Sequence, residues 1–181
     1  MALPKAIEDM AASFEEIKTS PSISGQSTNS IFIEEIFRKH LILSSASHFE
    51  FRISNAIETH AKGIANPDGC VFALIKHKAL KRQYHTFFEW DKLKLGAFTT
   101  LMGESLGSKL KTISSEDPGK LEAGAFLEIG QMRNALVHNN FVSFQCEKTS
   151  LEILELCKRA ESFVARVESL LGQPVQENEP E

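Results

Sequence analysis

Residues 131–140, Gln131-Met132-Arg133-Asn134-Ala135-Leu136-Val137-His138-Asn139-Asn140, lie near the end of a predicted helix and combine an arginine, an amide and an imidazole. Arg133 is a permanent cation whose planar donor fork suits phosphate. His138 is of the residue type that exchanges a proton near neutral pH. No other histidine has an arginine four to seven positions upstream. The chain therefore offers one candidate pair for holding or cleaving a phosphodiester.

The helix that carries this pair has two surfaces to bury. It is predicted to begin at 116–118, with Asp117 as the N-cap and Pro118 at the first helical position. One apolar stripe contains Leu121, Ala125, Ile129, Met132 and Leu136. At 100° per residue the roughly opposite side contains Phe126, Gly130, Val137 and Phe141. Arg133 and His138 flank this second surface. A single chain can bury the first stripe, so the second predicts a homodimer whose Arg133 and His138 edges face one groove.

Apolar residues at three- and four-residue steps predict the other helices. The segments are 5–18, 31–65, 71–82, 91–112 and a last helix that Gly172 and Pro174 stop. The helix 31–65 follows the cap-forming residues Asn29 and Ser30 and is predicted as one unusually long element. Glycines at 96, 103 and 107 interrupt 91–112, which predicts either a close backbone approach or a break.

No strand pattern or internal repeat is present, so the sequence predicts an all-α, antiparallel bundle of about five to six helices. We expect an N-terminal helix and loop over 1–28, the bundle over 29–172 and a disordered acidic tail over 173–181. At 181 residues the chain is long enough to bury a core without disulfides.

Net charge of −4 means that a nucleic acid would have to meet a local basic patch. The densest basic cluster contains Lys76, Lys78, Lys81 and Arg82. Such a cluster can contact phosphate backbones as point charges without reading sequence. The alternative interpretation is a solvated helix face.

Membrane, disulfide and metal functions are not indicated. No apolar run approaches the ~18 residues that cross a bilayer, and the N-terminus lacks a long apolar core, so we expect a cytoplasmic protein. Cys70, Cys146 and Cys157 are odd in number and widely spaced. They indicate buried free thiols rather than a disulfide framework or a zinc cage. No cofactor and no metal site is expected.

Two segments resemble the HEPN superfamily, in the branch often called RiboL-PSP. Residues 45–57, Ser-Ala-Ser-His-Phe-Glu-Phe-Arg-Ile-Ser-Asn-Ala-Ile, are similar to that branch's long helix. Residues 133–140 match the superfamily's signature of an arginine and a histidine separated by four to six residues, with a polar residue after the arginine. The resemblance covers about 30–171.

HEPN proteins are small helical bundles and commonly dimers, and many are metal-independent RNA endonucleases that act as toxins or in antiviral defence. The resemblance therefore implies RNA, a second copy of the chain and an antitoxin or defence-system protein as partners. The tyrosine-extended signature of toxins modified by nucleotidyltransferase antitoxins is missing. Asn139 and Asn140 follow His138, and the only tyrosine is Tyr84.

Metal-free RNA cleavage needs a base for the 2′-hydroxyl, an acid for the departing 5′-oxygen and a cation for the phosphorane. His138 suits the first or second task and Arg133 the third, while Asn134 could hold phosphate or orient the imidazole. A dimer would supply two copies of each group. Glu50, which could orient or neutralise a cation, and Asn139 are supporting candidates. A solvated carboxylate is the alternative for Glu50.

Two other functions fit the same residues. The first is a non-catalytic HEPN module that binds RNA, a nucleotide or a partner protein through the same groove. The second is a structural dimer in which Arg133 pairs with a carboxylate such as Glu50.

Overall fold

The fold consists of helices, seen in a computed structural model that describes residues 3–20, 27–81, 83–139 and 141–172. The α-helices are α1 Lys5–Thr19, α2 Ser27–Ile64, α3 Cys70–Leu74, α4 Gly96–Leu101, α5 Gly103–Ser115, α6 Gly119–His138 and α7 Ser150–Leu171. A π-helical turn follows α3 at Ile75–Leu80, and 3-10 turns lie at Tyr84–Thr86 and Trp90–Lys92. No strand forms in the described ranges apart from an isolated bridge, which confirms the all-α prediction. The predicted tail over 173–181, Arg82 and Asn140 lie outside the described residues.

The helix α2 is one uninterrupted element of 38 residues. It includes Asn29 and Ser30, so the prediction that these residues cap its start is wrong. The run Ser27-Thr28-Asn29-Ser30 contains only residues that favour helix starts, and composition therefore could not locate the first helical residue.

The predicted helix 91–112 begins only at Gly96 and is divided into α4 and α5. Met102 lies between them, and Gly103, the first residue of α5, has a positive φ of 74°, a conformation that glycine adopts without strain. Gly107 lies against the backbone carbonyl of Thr99, where a Cβ would have no room. The break therefore occurs at Gly103 and the close backbone approach at Gly107. The division adds one helix to the predicted number.

The helix α6 begins at Gly119, so the prediction of Asp117 as its N-cap is wrong. Pro118 occupies the cap position, and no side chain caps the helix. Gly119 is buried, and a Cβ at this position would overlap the carbonyl oxygen of Ile113 in α5. The close packing of α5 against Gly119, rather than a capping side chain, fixes the start of α6.

The site-bearing helix α6 packs mainly against α7, which packs in turn against α2. Ser45 of α2 lies 3.0 Å from Cys157 of α7, and His60 Nδ1 lies 2.6 Å from the Leu171 carbonyl. These pairings advance along both helices together, so α2 and α7 run in the same direction. Glu122 of α6 pairs with Arg166 of α7 at 2.5 Å, near the opposite ends of the two helices. Consequently α6 runs against both.

The second surface of α6 is covered mainly by its own chain. Phe126 is buried among the rings of Phe49, Phe88, Trp90 and Phe163. Gly130 is buried because the Trp90 ring occupies the space that a side chain would take. The prediction that another subunit covers these two positions is therefore wrong. Val137 and Phe141 on the same surface are exposed, as is Leu121 of the predicted core stripe.

The three cysteines are free thiols, but only Cys157 is fully buried. Burial raises the pKa of this thiol to about 11, so it stays protonated near neutral pH. Cys70 is exposed at the start of the short α3, which contradicts the expectation for that residue. The described residues contain no group of three His, Cys, Asp or Glu side chains that could hold a metal ion. Likewise, none of the described helices is long and apolar enough to span a membrane.

Candidate functional site

A cavity of about 470 Å³ lies between α6, α2 and the connection that contains the two 3-10 turns. Its lining residues are Ala46, Phe49, Glu50, Tyr84, His85, Trp90, Phe126, Ile129, Gly130, Arg133, Asn134, Val137 and His138. The aromatic side chains form an apolar part of the wall, and the polar groups come from all three segments. Concave sites of this size and mixed lining are typical of small-ligand binding.

The last two turns of α6 supply three of the predicted site residues. Arg133, Asn134 and His138 all line the cavity. Arg133 and Asn134 are half-buried, and His138, the last residue of the helix, is exposed. The guanidinium of Arg133 donates from Nη1 to the Asn134 Oδ1 at 3.1 Å. Asn139 follows as the C-terminal cap, is exposed and does not line the cavity.

Glu50 reaches the same cavity from α2, one turn after Ala46. It is half-buried, and among the described residues it forms no ion pair with Arg133 within 4.0 Å. The Arg133–Glu50 ion pair of the structural interpretation is thus not formed within the chain.

The pKa of Tyr84 responds to two charged residues of the cavity, Glu50 and Arg133. Burial raises the pKa of its phenol well above the ordinary value, the carboxylate of Glu50 raises it further, and Arg133 acts in the opposite direction. Glu50 and Arg133 therefore both lie within electrostatic reach of this hydroxyl. A tyrosine phenol is neutral at physiological pH, and the raised pKa keeps Tyr84 a hydrogen-bond donor further into the alkaline range.

The connection Tyr84-His85-Thr86-Phe87-Phe88-Glu89-Trp90 supplies the side of the cavity that sequence reasoning missed. The indole Nε1 of Trp90 donates to the carbonyl of His85 at 3.0 Å, which ties the two 3-10 turns together. The Trp90 ring lies against Gly130, and the amide of Gln131 donates to the Asp91 carbonyl at 3.4 Å. These contacts hold the connection against α6. The sequence signal for this connection is that the only tyrosine and the only tryptophan of the chain lie within one stretch of seven residues.

A family model described as RiboL-PSP-HEPN matches residues 8–173. The chain belongs to the RiboL-PSP-HEPN family. The match confirms the resemblance seen in the sequence, and it includes all three segments that line the cavity. No curated protein and no solved structure matches the chain significantly.

The basic cluster of this HEPN chain lies outside the cavity. Lys76, Lys78 and Lys81 are exposed on and just after the π-helical turn, and none of them lines it. Lys76 forms an ion pair with Glu58 of α2 at 3.1 Å. Lys78 borders a separate depression beside Phe87. The structure therefore brings together Glu50, Arg133, Asn134 and His138 but not the described lysines of the predicted RNA-binding cluster.

The HEPN cavity combines groups that suit a phosphorylated ligand. Arg133 provides a cation, and Asn134 an amide that already orients it. His85 and His138 are the two histidines of the lining. Beside them the buried rings of Phe49, Tyr84, Trp90 and Phe126 make the rest of the wall apolar.

Proposed function

We propose that this HEPN protein is an endoribonuclease that cuts RNA by attack of the 2′-hydroxyl, without a metal ion. The observation that carries the proposal is that Arg133, Asn134 and His138 line one open cavity. Among the described residues, the guanidinium of Arg133 bonds a neutral amide and no carboxylate. Its charge is therefore available to a phosphate.

In the proposed reaction the 2′-oxygen attacks the adjacent phosphorus after a base removes its proton. The bond from phosphorus to the 5′-oxygen breaks as an acid protonates that oxygen, which leaves a 2′,3′-cyclic phosphate and a free 5′-hydroxyl. His138 performs one of the two proton transfers. Arg133 stabilises the added negative charge of the phosphorane, oriented by its hydrogen bond to Asn134.

The shape and lining of the cavity support a single-stranded substrate. The bases of an A-form duplex are stacked and hard to reach, whereas a single strand can turn a base outward. The cavity, at about 470 Å³ and with an apolar part to its wall, has room for such a base. In this scheme Glu50 and Asn139 keep supporting roles, and the exposed Lys76, Lys78 and Lys81 guide the strand outside the cavity.

Cleavage of single-stranded RNA in EDTA tests the proposal. We expect fragments that end in a 2′,3′-cyclic phosphate and no cleavage of DNA of the same sequence, which lacks the nucleophile. His138→Ala should lower the rate at least about 100-fold while leaving the fold intact. The matched control is His40→Ala, because His40 is an exposed histidine outside the cavity. EDTA-resistant cleavage unchanged in both His138→Ala and Arg133→Ala would overturn the proposal.

The same experiment separates catalysis from binding alone. Saturable, salt-sensitive RNA binding with no product, weakened by changing Lys78 and Arg82, would assign a non-catalytic RNA-binding HEPN module instead.

We further propose that the nuclease acts as a toxin or antiviral defence effector, works as a homodimer and is controlled by a partner protein. Growth arrest on expression, absent for His138→Ala, is the expected cellular result. Sedimentation at micromolar concentration should show a dimer, and a monomer would contradict that part.

A further inference from the structure

We propose that His85 is the second proton-transfer residue of this cavity, so that one chain supplies both the acid and the base. The inference rests on the proposed nuclease function and deepens it. Its basis is that His85 and His138 both line the cavity, although they lie on different segments. Two imidazoles in one chain remove the need for a partner subunit to complete the acid–base pair.

His85 is held in place by contacts that lead directly to α6. Its carbonyl accepts a hydrogen bond from the indole of Trp90 at 3.0 Å. The Trp90 ring is lodged against Gly130, three residues before Arg133. Tyr84, the preceding residue, is buried with its ring against those of Phe87, Phe88 and Trp90. The backbone of an exposed histidine is thus fixed relative to the helix that carries Arg133, as a catalytic group requires.

The other titratable groups of the cavity suit proton transfer less well. Tyr84 is buried and its pKa is raised, so it is neither a base nor a ready acid near neutral pH. Glu50 would bring a negative charge beside a phosphorane that already carries one. An imidazole ordinarily gains and loses its proton near neutral pH, where both transfers are efficient.

The proposed step balances with two imidazoles. The neutral imidazole takes the proton of the 2′-hydroxyl as the bond from the 2′-oxygen to phosphorus forms. The imidazolium gives its proton to the 5′-oxygen as the bond from phosphorus to that oxygen breaks. Both histidines then exchange one proton with water before the next turnover, and no oxidant or further reactant is needed.

The pH dependence of kcat/KM for RNA cleavage tests this assignment. The wild type should give a bell-shaped profile with one limb for the base and one for the acid. His85→Asn should lower the rate at the optimum about 100-fold or more and remove one limb, while RNA affinity stays within about threefold. The control His40→Asn should keep the wild-type profile.

A wild-type profile in His85→Asn, with cleavage still lost in His138→Ala, would overturn the role of His85 and leave the nuclease proposal intact. The same holds if Glu50→Gln, and not His85→Asn, removes a limb. Wild-type cleavage in both His138→Ala and Arg133→Ala would instead remove the nuclease proposal itself.

Co-expression of two inactive chains tests whether the pair belongs to one chain. His85→Ala and His138→Ala chains assembled together should remain inactive, because every cavity then lacks one imidazole. If the two histidines met across a dimer interface, half of the dimers would be mixed and one of their two sites intact. Activity would then return to about one quarter of the wild type, which would overturn the proposal.

Discussion

Arg52 and Arg133 lie in the two segments of similarity to the HEPN superfamily, yet they occupy opposite environments. Arg52 of α2 is paired with Glu161 and Glu168 of α7, and its Nε donates to Glu168 at 2.8 Å. Both carboxylates help to raise the pKa of this guanidinium. Arg133 of α6 bonds only an amide among the described residues and borders an open cavity. The first arginine holds two helices together, and the second is available to a ligand.

This difference shows that the packing of an arginine, rather than its residue type, indicates its role. A cation whose charge is balanced between helices contributes to stability through its partners. A half-buried cation that lines a cavity and pairs with no carboxylate attracts an anion bound in that cavity. Substitutions in the α2–α7 cluster, which consists of His48, Arg52, Glu161 and Glu168, should therefore affect stability, and substitutions in the cavity should affect cleavage.

The largest stability effect should come from Arg52→Ala. The side chain of Arg52 is 19% exposed and that of Glu161 only 8%, so the substitution leaves a buried carboxylate without its cation. We expect the free energy of unfolding to fall by about 3 kcal/mol, measured by urea denaturation.

The matched control for that loss is Lys148→Ala. Lys148 pairs with Glu128 of α6 at 2.9 Å, and the two side chains are 35% and 32% exposed, so neither partner is buried. Solvent screens such a pair, so the expected loss is under about 1 kcal/mol. Equal losses in the two variants would contradict the distinction between a buried and an exposed pairing.

Gly130→Ala should change the cavity by displacing the Trp90 ring. The added Cβ would overlap the Trp90 ring, which has to move, and the free energy of unfolding should fall by about 1–3 kcal/mol. The fluorescence of Trp90, the only tryptophan, should change with it. RNA cleavage should also decrease, because Trp90 positions His85.

Gly124→Ala in the same helix is the control and should have the opposite sign. A Cβ at Gly124 meets nothing within 4 Å, so the better helix propensity of alanine should stabilise the protein by up to about 1 kcal/mol. Destabilisation of similar size at both glycines would argue against a specific Gly130–Trp90 contact.

The smallest predicted effect is a pH dependence of stability from the α2–α7 cluster. Burial lowers the pKa of His48, Arg52 lowers it further, and Glu161 and Glu168 act in the opposite direction. Because the folded-state pKa lies below the ordinary value of 6.5, the unfolded chain binds the proton first as the pH falls. Stability should therefore be complete above about pH 6.5 and decrease below it.

Denaturation at pH 5.5 and 7.5 measures this contribution. His48→Gln should show a smaller decrease between the two values than the wild type, because the titrating imidazole is gone. An unchanged decrease in the variant would assign the pH dependence to other groups.

The sequence was informative where the chain is periodic. The apolar steps predicted the long α2 and the all-α fold, and the spacing of Arg133 and His138 singled out residues that line one cavity. The connection that carries Tyr84, His85 and Trp90 has no helical period, so its spacing gave no indication that it covers α6.

The same connection accounts for the wrong prediction at Gly130. The sequence predicts a contact with another subunit there, because the Trp90 ring that fills the space is forty residues away in the sequence. In the same way, the roles of Arg52 and Arg133 could not be separated before their partners on α7 and α6 were known. Both the contact of Gly130 and the roles of the two arginines depend on long-range contacts, which the spacing of residues in the sequence does not reveal.

Arg133→Ala, assayed for both RNA cleavage and stability, separates a ligand-binding arginine from a structural one. Cleavage in EDTA should fall at least about 100-fold, since one charge-stabilising group is lost. The free energy of unfolding should change by less than about 1 kcal/mol, since no buried carboxylate loses a partner. Retained cleavage together with a loss of stability as large as that of Arg52→Ala would contradict this prediction and make Arg133 a structural residue.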